Sequence, residues 1–312
     1  MSQTYRVLCL SEAVSPITHA ARSAGNELLI AREPVVTPRG VAWVPFLSGN
    51  ALRHRLVREP GVRWLISRYG LAGQLTLAGL NFLLHGGSLT EGGGRRSPQR
   101  IADMYRLFPL LRLLGGSLPD QIVAGWLLSG RGTLVCRENA EALAALLPEG
   151  WTLPDAPLRP AEDFVSGFQY VRGDARARDV RLLADAAGEG EDEGGEDSTQ
   201  MIFAGQAVTR GACFLHAFTL PHVSELELGA LLWSLQLWQA AGGTVGGQGA
   251  RGHGRLRTAV HAGADAAAAV RAYLDHADAV RDEAVAWLHA AFARKAAGKP
   301  PRPKKPAKDA AP

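Results

Sequence analysis

The stretch Gly242–Leu256, GGTVGGQGARGHGRL, constrains the fold more than any other part of this 312-residue chain. Seven glycines stand there among arginines and one histidine, with no acidic residue. Glycine admits φ > 0 and removes the Cβ that keeps a ligand at a distance, so successive backbone N–H groups can turn towards an anion. Arg251 and Arg255, with His253, supply the matching charge. The residues before the loop (Leu226, Leu228, Leu231, Leu232, Leu235, Leu237 and Trp238) repeat with helical spacing, and Gly254–His261 alternates as a strand does. The predicted order is helix, glycine loop, strand. Gly247, Gly249 and Gly252 match G-x-G-x-x-G, the dinucleotide fingerprint, but that motif needs a strand before the glycines and a helix after them. The reversed context excludes a Rossmann-type site. It leaves a loop suited to close approach of a phosphate-rich ligand, with an ordinary surface loop as the alternative.

The formal net charge of +4 is unevenly spread. Residues 299–312 carry five basic groups against one acidic, and residues 185–197 carry seven acidic groups and no basic one. The remaining body is moderately basic, as nucleic-acid-binding surfaces often are. All five lysines lie at or beyond Lys295, so the body relies on arginine. A GC-rich genome would give the same bias, yet arginine is also the residue suited to bidentate phosphate contacts and to stacking on bases. Cys9, Cys136 and Cys213 are far apart and lack C-x-x-C spacing, which predicts a reduced protein with neither disulfide framework nor zinc site; no cofactor is expected. No apolar run approaches the ~18 residues of a membrane span and no signal segment is recognisable, so a cytoplasmic protein without a membrane partner is expected.

Along the chain, Tyr5–Leu10 predicts a strand, followed by a long polar loop through His19 to Asn26, then short strands at Leu28–Ile30 and Val41–Pro45. Ser48 or Asn50 can cap a helix running to about Arg58. The free N–H groups and positive dipole end of such a helix favour a phosphate. Residues 60–128 predict a helical insertion, with helices at Val62–Tyr69, Leu75–Leu84 and Ile101–Leu114. Leu134–Arg137 predicts a strand and Glu141–Leu147 a short helix. In Phe164–Leu183, Phe168 and Tyr170 are followed by Arg172, Arg176, Arg178 and Arg181, the composition of a single-strand-binding arm. The acidic segment 185–198 cannot bury enough apolar area to fold and predicts a disordered tip. Gln200–Gln206 and Phe214–Leu220 predict a strand pair joined through Thr209-Arg210-Gly211, so that residues 160–205 form a hairpin thumb. Past the glycine loop, Arg255, Arg257 and His261 fall on one strand face and extend the basic surface. Ala266–Arg294 predicts an amphipathic helix or helix pair. A single domain over residues 1–295 with a disordered basic tail at 296–312 is expected.

Without its insertions the order is strand, helix, strand, strand, helix, glycine loop, strand. That predicts an α+β, ferredoxin-like (RRM-like) palm with a helical insertion and a β-hairpin thumb. The segments Pro45-Phe46-Leu47-Ser48-Gly49-Asn50-Ala51-Leu52-Arg53, Leu111–Gly116 and Gly246–Arg255 resemble the helix, the leucine-phenylalanine-glycine turn and the glycine-rich loop of CRISPR RAMP proteins. Leu114-Gly115 stands where those proteins commonly have phenylalanine-glycine. The chain looks most like the seventh Cas family, the backbone subunit. Ser48–Arg53 and His85–Gly92 look like its type IV version.

What the resemblance implies is a palm that binds the sugar-phosphate backbone of a guide RNA (crRNA). Copies of the chain would stack head to tail along the guide, the thumb would wedge between nucleotides, and the guide would be presented to a complementary DNA or RNA target beside other CRISPR effector subunits. The expected RNA contacts come from His19, from the helix start (Ser48, Gly49, Asn50, Arg53, Arg55), from the arm (Phe168, Tyr170, Arg172, Arg176, Arg178) and from the loop (Gly246, Gly247, Gln248, Arg251, His253, Arg255). Two other readings stay open, a RAMP ribonuclease and a general single-strand-binding protein. Type III relatives place an aspartate before a Pro-Val pair; here Ala31-Arg32-Glu33-Pro34-Val35 puts Arg32 there, which cannot assist a 2′-hydroxyl, with Glu33 adjacent. Guide-processing relatives use a histidine base, a part open to His19 or His253. No second acid stands at a set spacing, so no catalytic residue is expected.

Overall fold

The computed structural model describes residues 3–24, 27–88, 97–154, 159–172, 201–263 and 265–293. The predicted acidic tip, Arg176 and Arg178, the basic tail, and Leu89–Gly92 of the histidine-glycine motif lie outside these residues. The strands are β1 (Gln3–Ala13), β2 (Ala20–Ala24), β3 (Glu27–Ile30), β4 (Arg32–Thr37), β5 (Gly40–Leu47), β6 (Gly116–Leu118), β7 (Gln121–Val123), β8 (Leu128–Ser129), β9 (Gly132–Leu134), β10 (Val165–Arg172), β11 (Met201–Val208), β12 (Cys213–Val223) and β13 (Leu256–His261). The α-helices are α1 (Gly49–Leu52), α2 (Glu59–Arg68), α3 (Leu77–His85), α4 (Pro98–Leu107), α5 (Pro109–Leu114), α6 (Ala140–Ala144), α7 (Glu225–Ala240), α8 (Ala266–Ala279) and α9 (Arg281–Ala291). The chain is thus α+β. It divides into two compact units, Met1–Gly61 with Trp126–Asp275, and Val62–Gly125 with His276–Pro312. Among the described residues no helix is long and apolar enough to cross a membrane.

The first unit is built on a seven-stranded sheet of order β13-β1-β12-β9-β5-β4, with β8 also paired to β12. Every neighbouring pair in it is antiparallel. The alternation of β1 sends Val7, Cys9, Ser11 and Ala13 to one buried face and Leu8 to the other. On β12, Phe214, His216, Phe218 and Leu220 are buried on one face, and Leu215 packs with Leu8, Val135 and Leu143 on the other. Both faces of the sheet are therefore covered, which is why β1 and β12 are apolar for most of their length.

Helix α7 starts at Ser224, where a capping box with Glu227 satisfies two backbone donors. It is apolar nearly all round and buries Leu228, Leu231, Leu232, Leu235 and Trp238. Gly229 lets it approach α8 closely, since a Cβ there would lie 2.1 Å from the Ala269 carbonyl oxygen. A second sheet, β10-β11-β3-β2, carries the arm. The expected pairing of Gln200–Gln206 with Phe214–Leu220 does not occur. The Thr209-Arg210-Gly211 corner is drawn to β1 by Gly211 N–H to Ala13 O (2.7 Å), so β12 enters the main sheet while β11 pairs with β10 and β3. The expected polar loop before Asn26 contains β2, and Ile17 and Thr18 within it are buried.

The expected helices of the insertion are found as α2, α3 and the pair α4 and α5, since Phe108-Pro109 splits the predicted Ile101–Leu114 run. Proline removes the N–H that would continue α4 and disfavours a helical conformation at Phe108. The insertion also holds a small hairpin, β6-β7, which its helical periodicity did not signal. Helix α9 packs in the second unit, with Phe292 against Phe82 and Trp287 against Phe108.

His216 is the most perturbed histidine of the first unit. It is fully buried, its two ring nitrogens have no hydrogen-bond partner among the described residues, and burial pushes its pKa from 6.5 down to about 4. A group whose folded pKa is depressed contributes stability that is present above its unfolded pKa and is lost on acidification. Urea denaturation followed against pH is expected to give a constant midpoint above about pH 6.5 and a progressive fall from there towards pH 4. His216→Leu should flatten that fall.

Candidate nucleic-acid interface

Three pieces far apart in sequence meet on the short segment Pro16–His19: the glycine loop, the start of α1, and the end of β11, where Val208 and Ile17 exchange two backbone hydrogen bonds of 2.8 Å. Thr18 O accepts from Gly247 N–H at 2.8 Å, and Pro16 O accepts from Gly254 N–H at 2.7 Å. The Thr18 hydroxyl and His253 Nδ1 are hydrogen-bonded at 2.8 Å. His19 turns the other way: its Nε2 accepts from the Ser48 backbone N–H at 3.1 Å, and its ring stands edge-on to Phe46. Burial lowers the His19 pKa, which favours the neutral ring that this acceptor role requires. One strand-like segment thus fixes the glycine loop on one side and the start of α1 on the other.

The base of the loop is tightly held. Val245 N–H donates to Gly254 O (2.7 Å), Leu256 N–H to Gly243 O (2.8 Å) and Trp238 Nε1–H to Thr244 O (2.8 Å). Gly246 (φ +74°) and Gly254 (φ +91°) are required by this geometry, since a Cβ would lie 2.4 Å from Thr18 O and 2.3 Å from Val245 O respectively. The Gln239 side chain closes the junction with β13, donating to Leu256 O and accepting from Thr258 N–H.

The arm reaches the same loop through its rings. Tyr170 and Phe203 are cross-strand partners with parallel rings 5.2 Å apart, and Phe168 lies parallel to Tyr170 at 6.3 Å. Phe168 rests on Gly205, where a Cβ would meet its ring at 2.6 Å, and receives His253 edge-on at 5.0 Å. The Arg251 guanidinium sits 3.8 Å from the centre of the Tyr170 ring and is hydrogen-bonded to the Gln248 side chain. His253 has its pKa lowered first by burial and then by the Arg251 charge. Arg172 ends β10.

At the helix start, Ser48 is the N-cap and its hydroxyl accepts from Ala51 N–H. Gly49 lies under the β8–β9 turn, 2.4 Å from Ser129 O in the position its Cβ would take, and Asn50 is exposed. The helix continues as a π-helical turn, Arg53–Arg58, and then as α2. Arg53 is half-buried, and burial lowers its pKa. Arg58 is buried, with its pKa pushed down to about 10 by burial and by Arg53. Arg55 is exposed but paired with Glu59 at 2.7 Å.

The basic surface is narrower than the sequence implies. Arg257 is ion-paired to Glu12 at 2.5 Å, and the resulting hydrogen bond and charge contact raise its pKa. Arg255 is exposed; its backbone N–H donates to the Ser15 hydroxyl (3.0 Å) and its carbonyl oxygen accepts from Val14 N–H (2.9 Å). Glu33 is ion-paired to Arg131, whose guanidinium also lies 4.5 Å from the centre of the Phe46 ring. Thr18, Phe46, Arg131 and Phe203 belong to this surface and were not singled out in the sequence. Phe203 could have been found from the alternation of β11 had its register with Tyr170 been known.

No family model matches the chain, and no curated protein matches it. The fold is similar to a solved one. A chain of a structure described as "Type IV-B CRISPR Complex" matches with a TM-score of 0.52 at 16% identity, over 82% of this chain and 90% of that one. At that identity the likeness is one of fold.

The glycines make separable predictions. Gly246→Ala and Gly254→Ala should each destabilise the protein by about 2 kcal/mol or more, because each adds a clash to a left-handed backbone conformation. Gly249→Ala, where a Cβ meets nothing within 4 Å and φ is not positive, should stay within about 0.5 kcal/mol of the parent. The midpoint of urea unfolding measures both.

Proposed function

We propose that this chain is a guide-RNA backbone-binding subunit of a type IV CRISPR effector, a member of the seventh Cas family that lines up head to tail along the guide. The observation that carries the reading is the convergence on Pro16–His19, which joins the glycine loop, the start of α1 and the aromatic arm into one surface. Each piece suits a different part of a single strand. The exposed Arg255 suits a phosphate, the helix start suits another, and the ring ladder suits bases. The order β13-β1-β12-β9, reached through crossovers that contain α1 and α7, matches the order expected of a ferredoxin-like palm and so supports the same reading. So does the similarity of fold to a chain of a type IV-B CRISPR complex. Sequence choice would then rest on guide pairing, consistent with a surface that offers backbone and stacking contacts.

The reading is of a scaffold without catalysis. His19 Nε2 is engaged by Ser48 N–H, His253 Nδ1 by the Thr18 hydroxyl and the Glu33 carboxylate by Arg131, so the three groups considered for a ribonuclease site already have partners within the protein. Partners on this reading are the crRNA, a complementary DNA or RNA target, further copies of the chain and other effector subunits.

Purification with a co-expressed guide is expected to yield an RNA-bound oligomer whose affinity falls with salt, at about 0.7 log units per log unit of salt for each phosphate contact. Arg255→Ala should weaken binding and lower that slope by about one contact while leaving the unfolding midpoint unchanged. An RNA-free monomer, or binding indifferent to salt, would count against the proposal. Equal affinity for any strand with no ordered filament would favour a general single-strand-binding protein. Incubation of the complex with labelled complementary RNA should leave it intact; cleavage abolished by Glu33→Gln or His19→Ala would make the protein a ribonuclease.

A further inference from the structure

The tip of the glycine loop differs physically from its base. Gly243, Gly246 and Gly254 are locked, since a Cβ at each would lie 2.3–2.4 Å from a backbone oxygen. At Gly249 and Gly252 a Cβ would meet nothing within 4 Å. The backbone bonds of the tip are internal: Arg251 N–H donates to Gln248 O (2.9 Å) and Gly252 N–H to Gly249 O (3.0 Å). Two left-handed residues flank this turn, Gln248 at φ +61° and Gly252 at φ +82°. A non-glycine residue at positive φ carries backbone strain, and such strain gathers at ligand clamps. What joins the tip to the arm is the Arg251 guanidinium on the Tyr170 ring.

The two partners of that stack are held very differently. Tyr170 has two near-parallel rings beside it, Phe203 across the hairpin (5.2 Å) and Phe168 along the strand (6.3 Å), and Phe168 is itself held by Gly205 and His253. Arg251 is exposed and rides on an unpacked turn. A rigid aromatic platform covered by a planar, displaceable cation is an arrangement that a nucleobase can enter. A base stacked on an aromatic ring is held more firmly than an exposed arginine on the same ring, and guanidinium planes stack on bases as well as on tyrosine.

We propose that Tyr170 and Arg251 form a clamp for one nucleobase of single-stranded RNA, the base lying on the tyrosine ring with the guanidinium on its outer face. The tip, hinged at Gln248 and Gly252, retreats by about the 3.8 Å that now separates cation and ring, while the locked base of the loop stays in place. The clamp rests on the RNA-binding reading above and adds to it a specific base site. Its ligand class is set by the chemistry of a planar π face, so every base is accepted and an abasic position is not.

The test uses the full chain and a single-stranded RNA oligonucleotide carrying one 2-aminopurine, moved one position at a time, whose fluorescence is quenched by stacking. Quenching at defined positions is expected. Tyr170→Ala should abolish it and weaken binding about tenfold, and Tyr170→Phe should preserve both. Tyr170→Leu keeps bulk on the arm and gives the same reading if the alanine variant does not fold. Arg251→Lys retains the charge without the plane, so quenching should fall towards that of Arg251→Ala; a purely electrostatic role would leave it at the parental level. RNA binding with no quenching at any position, or quenching that survives loss of the Tyr170 ring, overturns the clamp alone. A parent protein that binds no RNA overturns the RNA-binding reading and the clamp with it.

Discussion

The candidate interface depends on the bonds made by Thr18 and His19. Thr18 accepts a backbone hydrogen bond from Gly247 and pairs through its hydroxyl with His253, while His19 accepts from the first N–H of the helix at Ser48. The histidine can accept there only as the neutral ring, the form that burial favours. A segment of four residues therefore sets the distance between loop and helix. Ile17 in the same segment is fully buried, and leaving the buried Thr18 unpaired would be unfavourable.

The glycines of the loop divide the work. Those that touch Thr18 and Val245 let two backbones approach closer than any side chain would allow, whereas those of the tip are free of packing altogether. The arginines divide similarly. Arg55, Arg131 and Arg257 each face a carboxylate, so much of the formal positive charge is neutralised locally. Arg251 is stacked on a tyrosine, and the Arg255 side chain points from an exposed position next to the loop. A count of basic residues overstates the surface left for a polyanion, and the position of each pair decides which cations are available.

Much of the scaffold is legible in the sequence. Helix α7 and the glycine loop stand where their periodicity and turn chemistry place them, and Ser48 is the cap that its residue type predicts. These signals are local, repeating every two or 3.6 residues or acting within one turn. The strand β2, the hairpin β6-β7 and the separation of β11 from β12 left no such signal. Short strands are specified by what pairs with them, and the Thr209–Gly211 corner reads as a hairpin turn until the bond from Gly211 to Ala13 carries β12 away.

The sequence by itself determined that a glycine loop with basic residues would lie between an apolar helix and an arginine-faced strand, and that an aromatic arm and a capped helix start would accompany it. Only the tertiary structure decided that these three meet on Pro16–His19, that Arg251 and His253 lean on the arm, and that Arg257 and Glu33 are occupied by partners. The physical reason is that propensity and capping act between neighbours in the chain. Hydrogen bonds such as Gly247 to Thr18, and ring contacts such as Phe168 with His253, join residues whose separation in sequence says nothing of their distance in space.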